Sequence, residues 1–153
     1  MIVITSFVNA VHRSQVIALW RATFGYQAAH HNPSLVIDKK LAVDDHFFFV
    51  AIDEDVVVGT TIAGYDGHRG WIYSVAVSPS HQRQGIGSRL VRHAEQALTS
   101  NGCVKINLQI IEGNERAIRF YASLGYSSQK LISTGKLVPA NLSVATENSP
   151  KIG

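Results

Sequence analysis

The sequence predicts an α/β domain whose mixed central sheet begins as an antiparallel meander, continues as a parallel pair around a glycine-rich loop, and is flanked by helices. Three observations carry this reading. Three strand-like runs are joined by short turns, a helical repeat of roughly fifteen residues separates two later strand-like runs, and two glycines stand where that helix starts.

Ile2, Val3 and Ile4 open a short β-rich run toward Asn9, which can cap a helix marked by Val11, Ile17, Leu19, Trp20 and Phe24 and closed by Gly25. A weaker helix follows Pro33, through Leu35, Val36, Lys39 and Lys40 to Leu41 and Val43. Residues 46–52, with Phe47, Phe48, Phe49 and Val50, read as a strand, and Asp53 to Asp55 turn it into a second strand over residues 56–65. Asp66-Gly67 is a turn dipeptide before a third strand, residues 71–77, ended by Pro79.

After a polar loop, Ile86, Leu90, Val91, Ala94, Ala97 and Leu98 recur at helical spacing up to the stop at Asn101-Gly102. Residues 103–111 then predict a strand, parallel to the previous one because a helix separates them. Residues 114–124 predict a helix stopped by Gly125, and residues 127–138 one or two final strands. Residues 1–139 read as one domain and 140–153 as a polar, loose tail.

Apolar residues make up 46% and charged residues 16%, a balance that folds rather than stays disordered. The net charge of +3 is spread without a basic run, which argues against nucleic acid but tolerates a polyanionic small ligand. No stretch approaches the roughly 20 apolar residues that span a bilayer, and the first ten residues lack a basic leader. The expected location is therefore cytoplasmic. Cys103 is the only cysteine and reads as a small buried hydrophobe, and His30-His31 lack a second ligand motif, so no metal is expected.

The segment from Val75 through Pro79 to Gln82, Arg83, Gln84, Gly85, Gly87 and Ser88 runs from strand into helix. A helix start offers unpaired N–H groups and the positive end of the dipole, and glycines let a phosphate approach the backbone. Two glycines alone fit a tight loop equally well. A dinucleotide fingerprint fits poorly, because Leu90 stands where its third glycine belongs, and no Gly-Lys-Ser/Thr ending supports a P-loop.

Gln82-x-x-Gly85-x-Gly87 after Val75-Ala76-Val77-x-Pro79 resembles the acetyl-coenzyme A signature of the GNAT acetyltransferase superfamily. Asn114-x-x-Ala117-x-x-x-Tyr121-x-x-x-Gly125-Tyr126 resembles that family's second signature, at the expected distance. The likeness is strongest over residues 56–126. It implies that the Val75 and Val77 backbones hold the pantetheine arm like an added strand, that Arg83 to Ser88 hold the pyrophosphate, and that Asn114 contacts the pantetheine. It also implies acetyl-CoA as cosubstrate and a primary amine as acceptor; the oligomeric state, monomer or homodimer, stays open.

By the same resemblance Tyr121 matches the phenol that protonates the departing thiolate, whereas by position alone it reads as a core tyrosine on an amphipathic helix. The base is open. Gln109 stands where relatives that acetylate protein N-termini often carry glutamate, and an amide is no base. Glu112, Asp66, His68, Tyr73 and a water chain are the candidates. Against each stands an ordinary role: Glu112 as a solvated strand end, Asp66 as a turn residue, His68 as an exposed loop histidine. Gln109 also leaves room for an acetyl-CoA-binding sensor without turnover, and a nicotinamide-dependent oxidoreductase stands third, on the glycines and Glu112 alone.

Overall fold

The computed structural model describes residues 1–25 and 31–139; His30 and the tail expected at 140–153 lie outside them. The chain runs β1 (Ile2–Ser6), α1 (Asn9–Phe24), α2 (Pro33–Val43), β2 (Phe48–Asp53), β3 (Val56–Tyr65), β4 (Gly70–Val77), α3 (Ile86–Ser100), β5 (Ile106–Asn107) and α4 (Glu115–Ser123). The strands lie in the order β1-β2-β3-β4-β5, antiparallel except for the parallel β4–β5 pair. The mixed sheet and its two regimes are thus as the sequence predicts.

Local chemistry explains most boundaries. Helix α1 starts one residue earlier than a cap at Asn9 would place it, because the His12 ring accepts the Val8 N–H at 2.9 Å and makes Val8 the cap. Burial lowers the His12 pKa, which keeps the ring neutral and able to accept. In α2 the Asn32 side chain accepts from Ser34 and Leu35, and Pro33 occupies the first turn, where its missing N–H costs nothing. Glu54 and Asp55 both have positive φ (47° and 70°), the conformation of a two-residue hairpin turn, and it joins β2 to β3.

The sheet is buried on both faces, which is why residues 47–50 are apolar without alternation. On one face Phe48, Val50, Ile62 and Ala76 pack under Trp20 and Leu19 of α1 and Ile37 of α2. On the other, Phe49, Ala63 and Ile72 pack under Val91, Ala94 and Leu98 of α3, with Phe120 and Tyr121 of α4 alongside. Cys103 is buried there, its sulfur so near Gly70 that a Cβ at Gly70 would fall 2.7 Å from it.

The C-terminal part departs from expectation. The strand predicted over residues 103–111 contracts to Ile106–Asn107, since its ladder with β4 ends at Trp71↔Asn107 while Val104 (91% exposed) faces solvent. The final strands predicted over residues 127–138 do not form. Leu131 and Ile132 are 74% and 94% exposed, so no buried face rewards the ordering of a strand. Among the described residues, side-chain bonds tie this segment to β5 and its flanks: Lys105 to Gln129, Gln129 to Asn107, and Gln109 to Ser133. Among the described residues no helix is long and apolar enough to cross a membrane.

Candidate functional site

The site begins where β4 leaves the sheet. Pro79–His81 form a single 3₁₀ turn, Arg83 (φ 63°) and Gly85 (φ 78°) adopt left-handed backbone, and α3 starts at Ile86. The helix is pinned there: Ile86 and Leu90 are 2% and 0% exposed and lie over Gly59, where a Cβ would sit 2.8 Å from Leu90 Cδ1. No side chain caps the helix, and its first turn carries no acidic residue. The first helical bond runs from Arg89 N–H to the Gly85 carbonyl, so the N–H groups of Ile86, Gly87 and Ser88 have no helical acceptor. Three donors, the dipole and the exposed Arg83 converge where the sequence places an anion.

The two sequence signatures meet physically. A Cβ at Gly87 would lie 3.3 Å from Phe120 Cζ and 3.7 Å from Val77 Cγ2, so the glycine lets α4 lie against the start of α3 beside the end of β4. Gln82 clips the same junction, donating to the Val77 carbonyl at 3.2 Å and accepting from Arg116 of α4 at 3.2 Å. His81 closes the loop's other flank. Its Nε2 lies 2.9 Å from Asp53 Oδ2 at the end of β2, and its Nδ1 lies 2.8 Å from Ser80 Oγ. That pairing lowers the Asp53 pKa, with the N-terminal ammonium adding to it. The clip spans 28 residues, and no local pattern in the sequence signals it.

Beyond Trp71 no β5 residue pairs with β4, so at Val75 and Val77 the side of β4 away from β3 has no neighbouring strand among the described residues. Tyr121 is half-buried in the cluster that contains Val75, its ring edge-on to Phe120 (4.9 Å) and Tyr126 (5.8 Å). Burial pushes its hydroxyl up to about 12, so it holds its proton at neutral pH. Tyr126 anchors the helix end by donating to Glu95 of α3 at 2.6 Å. Asn114 caps α4, its Oδ1 accepting the Ala117 N–H at 3.1 Å.

The candidate bases separate on contact with geometry. Asp66 accepts the His68 and Arg69 N–H groups, both at 2.7 Å, and these bonds lower its pKa, which makes it a weaker base in an ordinary turn. His68 is exposed beside the Arg69 guanidinium, Glu112 is exposed, and Gln109 donates to Ser133. Tyr73 lies on β4, and burial, with the Asp45 carboxylate nearby, pushes its hydroxyl up to about 12. It therefore holds its proton at neutral pH. Asp45, which no sequence motif marks, binds the buried Lys40 ammonium at 2.7 Å and the Phe47 N–H at 3.1 Å. Among the described residues no three His, Cys, Asp or Glu side chains gather as a metal site.

A family model described as the acetyltransferase (GNAT) family matches residues 13–126. A Yersinia pestis (strain Pestoides F) protein named acetyltransferase is 34% identical over 122 residues, 80% of this chain and 86% of that one. The fold is similar to that of the NatC complex bound to Gag peptide and CoA (TM-score 0.74, 21% identity, 84% and 86% of the two chains). It is also similar to glucosamine-6-phosphate N-acetyltransferase from Arabidopsis thaliana (TM-score 0.68, 16% identity, 90% and 99%).

Proposed function

Because this chain belongs to the GNAT acetyltransferase family, we propose that it transfers acetyl from acetyl-coenzyme A directly to the nitrogen of a primary amine, with Tyr121 as the acid. The observation that carries this reading is the contact of Gly87 with Phe120, which sets an uncapped helix start and the Tyr121 helix side by side at the open edge of β4.

The residues fit the cosubstrate. The N–H groups of Ile86, Gly87 and Ser88 would take the pyrophosphate, with the charge of Arg83 beside them. The Val75 and Val77 backbone would run along the pantetheine amides, and Asn114 would close over the arm. Gln84 stands exposed on the loop, and the Gln82 amide is spent on Val77 and Arg116, so its contribution is to hold the junction.

In the transfer, the amine lone pair attacks the thioester carbonyl carbon, a C–N bond forms, the C–S bond breaks, and the sulfur leaves with the bonding pair. The Tyr121 phenol donates to that sulfur. A phenol near 12 is a weaker acid than a thiol, so Tyr121 acts by a hydrogen bond to the sulfur that strengthens as negative charge develops there. Asp66 and Glu112 lie in exposed turns, so the ammonium gives its first proton to water before attack, and after attack the nitrogen gives up a second, which returns through solvent to the Tyr121 oxygen; the products are the amide, the free thiol and one proton. The rate should therefore rise with pH along the acceptor's own titration and show no falling limb from Tyr121 until the pH nears about 12.

The acceptor is a primary amine on a small molecule, peptide or protein. The solved neighbours carry a peptide in one case and a sugar phosphate in the name of another, so the shared fold does not select among them. A coenzyme A release assay over amino acids, polyamines, aminoglycosides and peptide N-termini tests the reading. Release with at least one class is expected. One feature favours a second reading, a sensor: Gln109, hydrogen-bonded to Ser133, stands where a base could have stood. Tight acetyl-coenzyme A binding without turnover over the whole panel would establish the sensor and end the transferase.

A further inference from the structure

Strand β4 carries an irregularity beside the site. Its register against β3 shifts between Thr60↔Ala76 and Ile62↔Tyr73, so Ser74 and Val75 together oppose Thr61. Ser74 is in left-handed backbone (φ 51°), a conformation that a residue with a Cβ enters only when its surroundings hold it there. What holds it is buried. Thr60 Oγ1 donates to the Ser74 carbonyl at 2.8 Å, and the Trp20 indole N–H donates to Thr60 Oγ1 at 2.8 Å.

The direction of this chain is fixed. An indole nitrogen can only donate, so the Thr60 oxygen must accept from it and send its single proton on to Ser74. Trp20 and Thr60 are 1% and 0% exposed, so neither polar group faces bulk water. The neighbouring Thr61 is equally buried, yet its hydroxyl has no hydrogen-bond partner among the described residues. Two adjacent threonines thus share burial and differ in their bonds: only Thr60 reaches the bulge.

We propose that Thr60, backed by Trp20, is a positioning residue for acetyl transfer: it fixes the Ser74–Val75 bulge and so sets where the β4 edge meets the acetyl end of the cosubstrate. This rests on the function proposed above. With the pyrophosphate at the start of α3 and the arm running back along Val77 and Val75, the acetyl end falls at the bulge, beside Tyr121, which packs in the same cluster as Val75. Loss of the relay should disturb the acetyl end and spare the pyrophosphate end.

The test is calorimetry with coenzyme A and acetyl-coenzyme A separately, joined to kcat, on wild type and four variants. Thr60→Val keeps the side-chain shape and removes both bonds. Its coenzyme A affinity should stay within about threefold, while its preference for acetyl-coenzyme A falls about fivefold or more and kcat about tenfold or more. Thr60→Ser should return both to within about threefold of wild type, and Thr61→Val should match wild type. Trp20→Phe, which leaves the Thr60 to Ser74 bond but frees its hydroxyl, should fall between and decides the matter should Thr60→Val not fold. Wild-type kcat and preference in Thr60→Val, equal losses in Thr60→Val and Thr61→Val, or no recovery in Thr60→Ser would overturn the proposal. Failure of wild type to bind coenzyme A would instead remove the function beneath it.

Discussion

The two halves of the candidate site are built by opposite means. From Arg83 to Ser88 the donors are backbone N–H groups, held by two left-handed residues and by a helix pinned through Ile86 and Leu90. Apart from α4, residues 104–114 and 127–139 meet the sheet through a two-residue strand and a few side-chain bonds, and they leave Leu131 and Ile132 in solvent. Rigid backbone suits a constant ligand group such as a pyrophosphate. A loosely tied border suits the part of the site that must differ between acceptors.

Substitutions should sort along this divide. The largest loss is expected at Gly87→Val: a Cβ there already meets Phe120 at 3.3 Å, and a branched side chain would push α4 off α3. Coenzyme A affinity should fall about a hundredfold or more, with about 1–3 kcal/mol of stability lost to overpacking, read by calorimetry and thermal melting. Tyr121→Phe should lower kcat by about 10²–10³-fold with coenzyme A affinity within about threefold, because the ring and its packing remain. A loss of affinity as large as that of kcat would make Tyr121 a packing residue.

Gly85→Ala isolates backbone from contact. Nothing lies within 4 Å of the added carbon, so the cost is the left-handed φ of 78° alone, about 1–2 kcal/mol or roughly a tenfold drop in coenzyme A affinity. Asp53→Asn weakens the His81 clip at the loop's flank and should cost affinity only about two- to fivefold. The pH sign follows from the lowered Asp53 pKa: the clip is complete above the ordinary carboxylate range and is lost only as pH falls through the lower folded value. Ile132→Ser, on the other half, should change stability by less than about 0.5 kcal/mol, since the side chain is 94% exposed. A large loss there would show that this segment is packed after all.

The same divide explains what the sequence made legible. Local rules carried the meander, the loop and the two helices after it: Gly85 is where left-handed backbone is needed, Gly87 where two helices touch, and Asn114 caps the helix that bears Tyr121. Long-range bonds escaped. His81 with Asp53, Lys40 with the Ala63 carbonyl, and Trp20 with Thr60 join residues whose partnership no periodicity records. The strand run over residues 127–138 misled for a related reason: β-branched and apolar residues such as Leu131 and Ile132 suit a strand, but only a buried face makes one. The base escaped because its candidates Asp66, His68 and Glu112 turned out to be turn and surface residues.

The central claim is that the backbone from Arg83 to Ser88 holds the cosubstrate's phosphates, and an amide-resolved NMR titration with coenzyme A tests it most directly. On saturation the largest amide shifts are expected at Ile86, Gly87 and Ser88, with smaller ones at Val75 and Val77, and little change at Ile132. Saturable binding that leaves the amides of Ile86, Gly87 and Ser88 unmoved would contradict it.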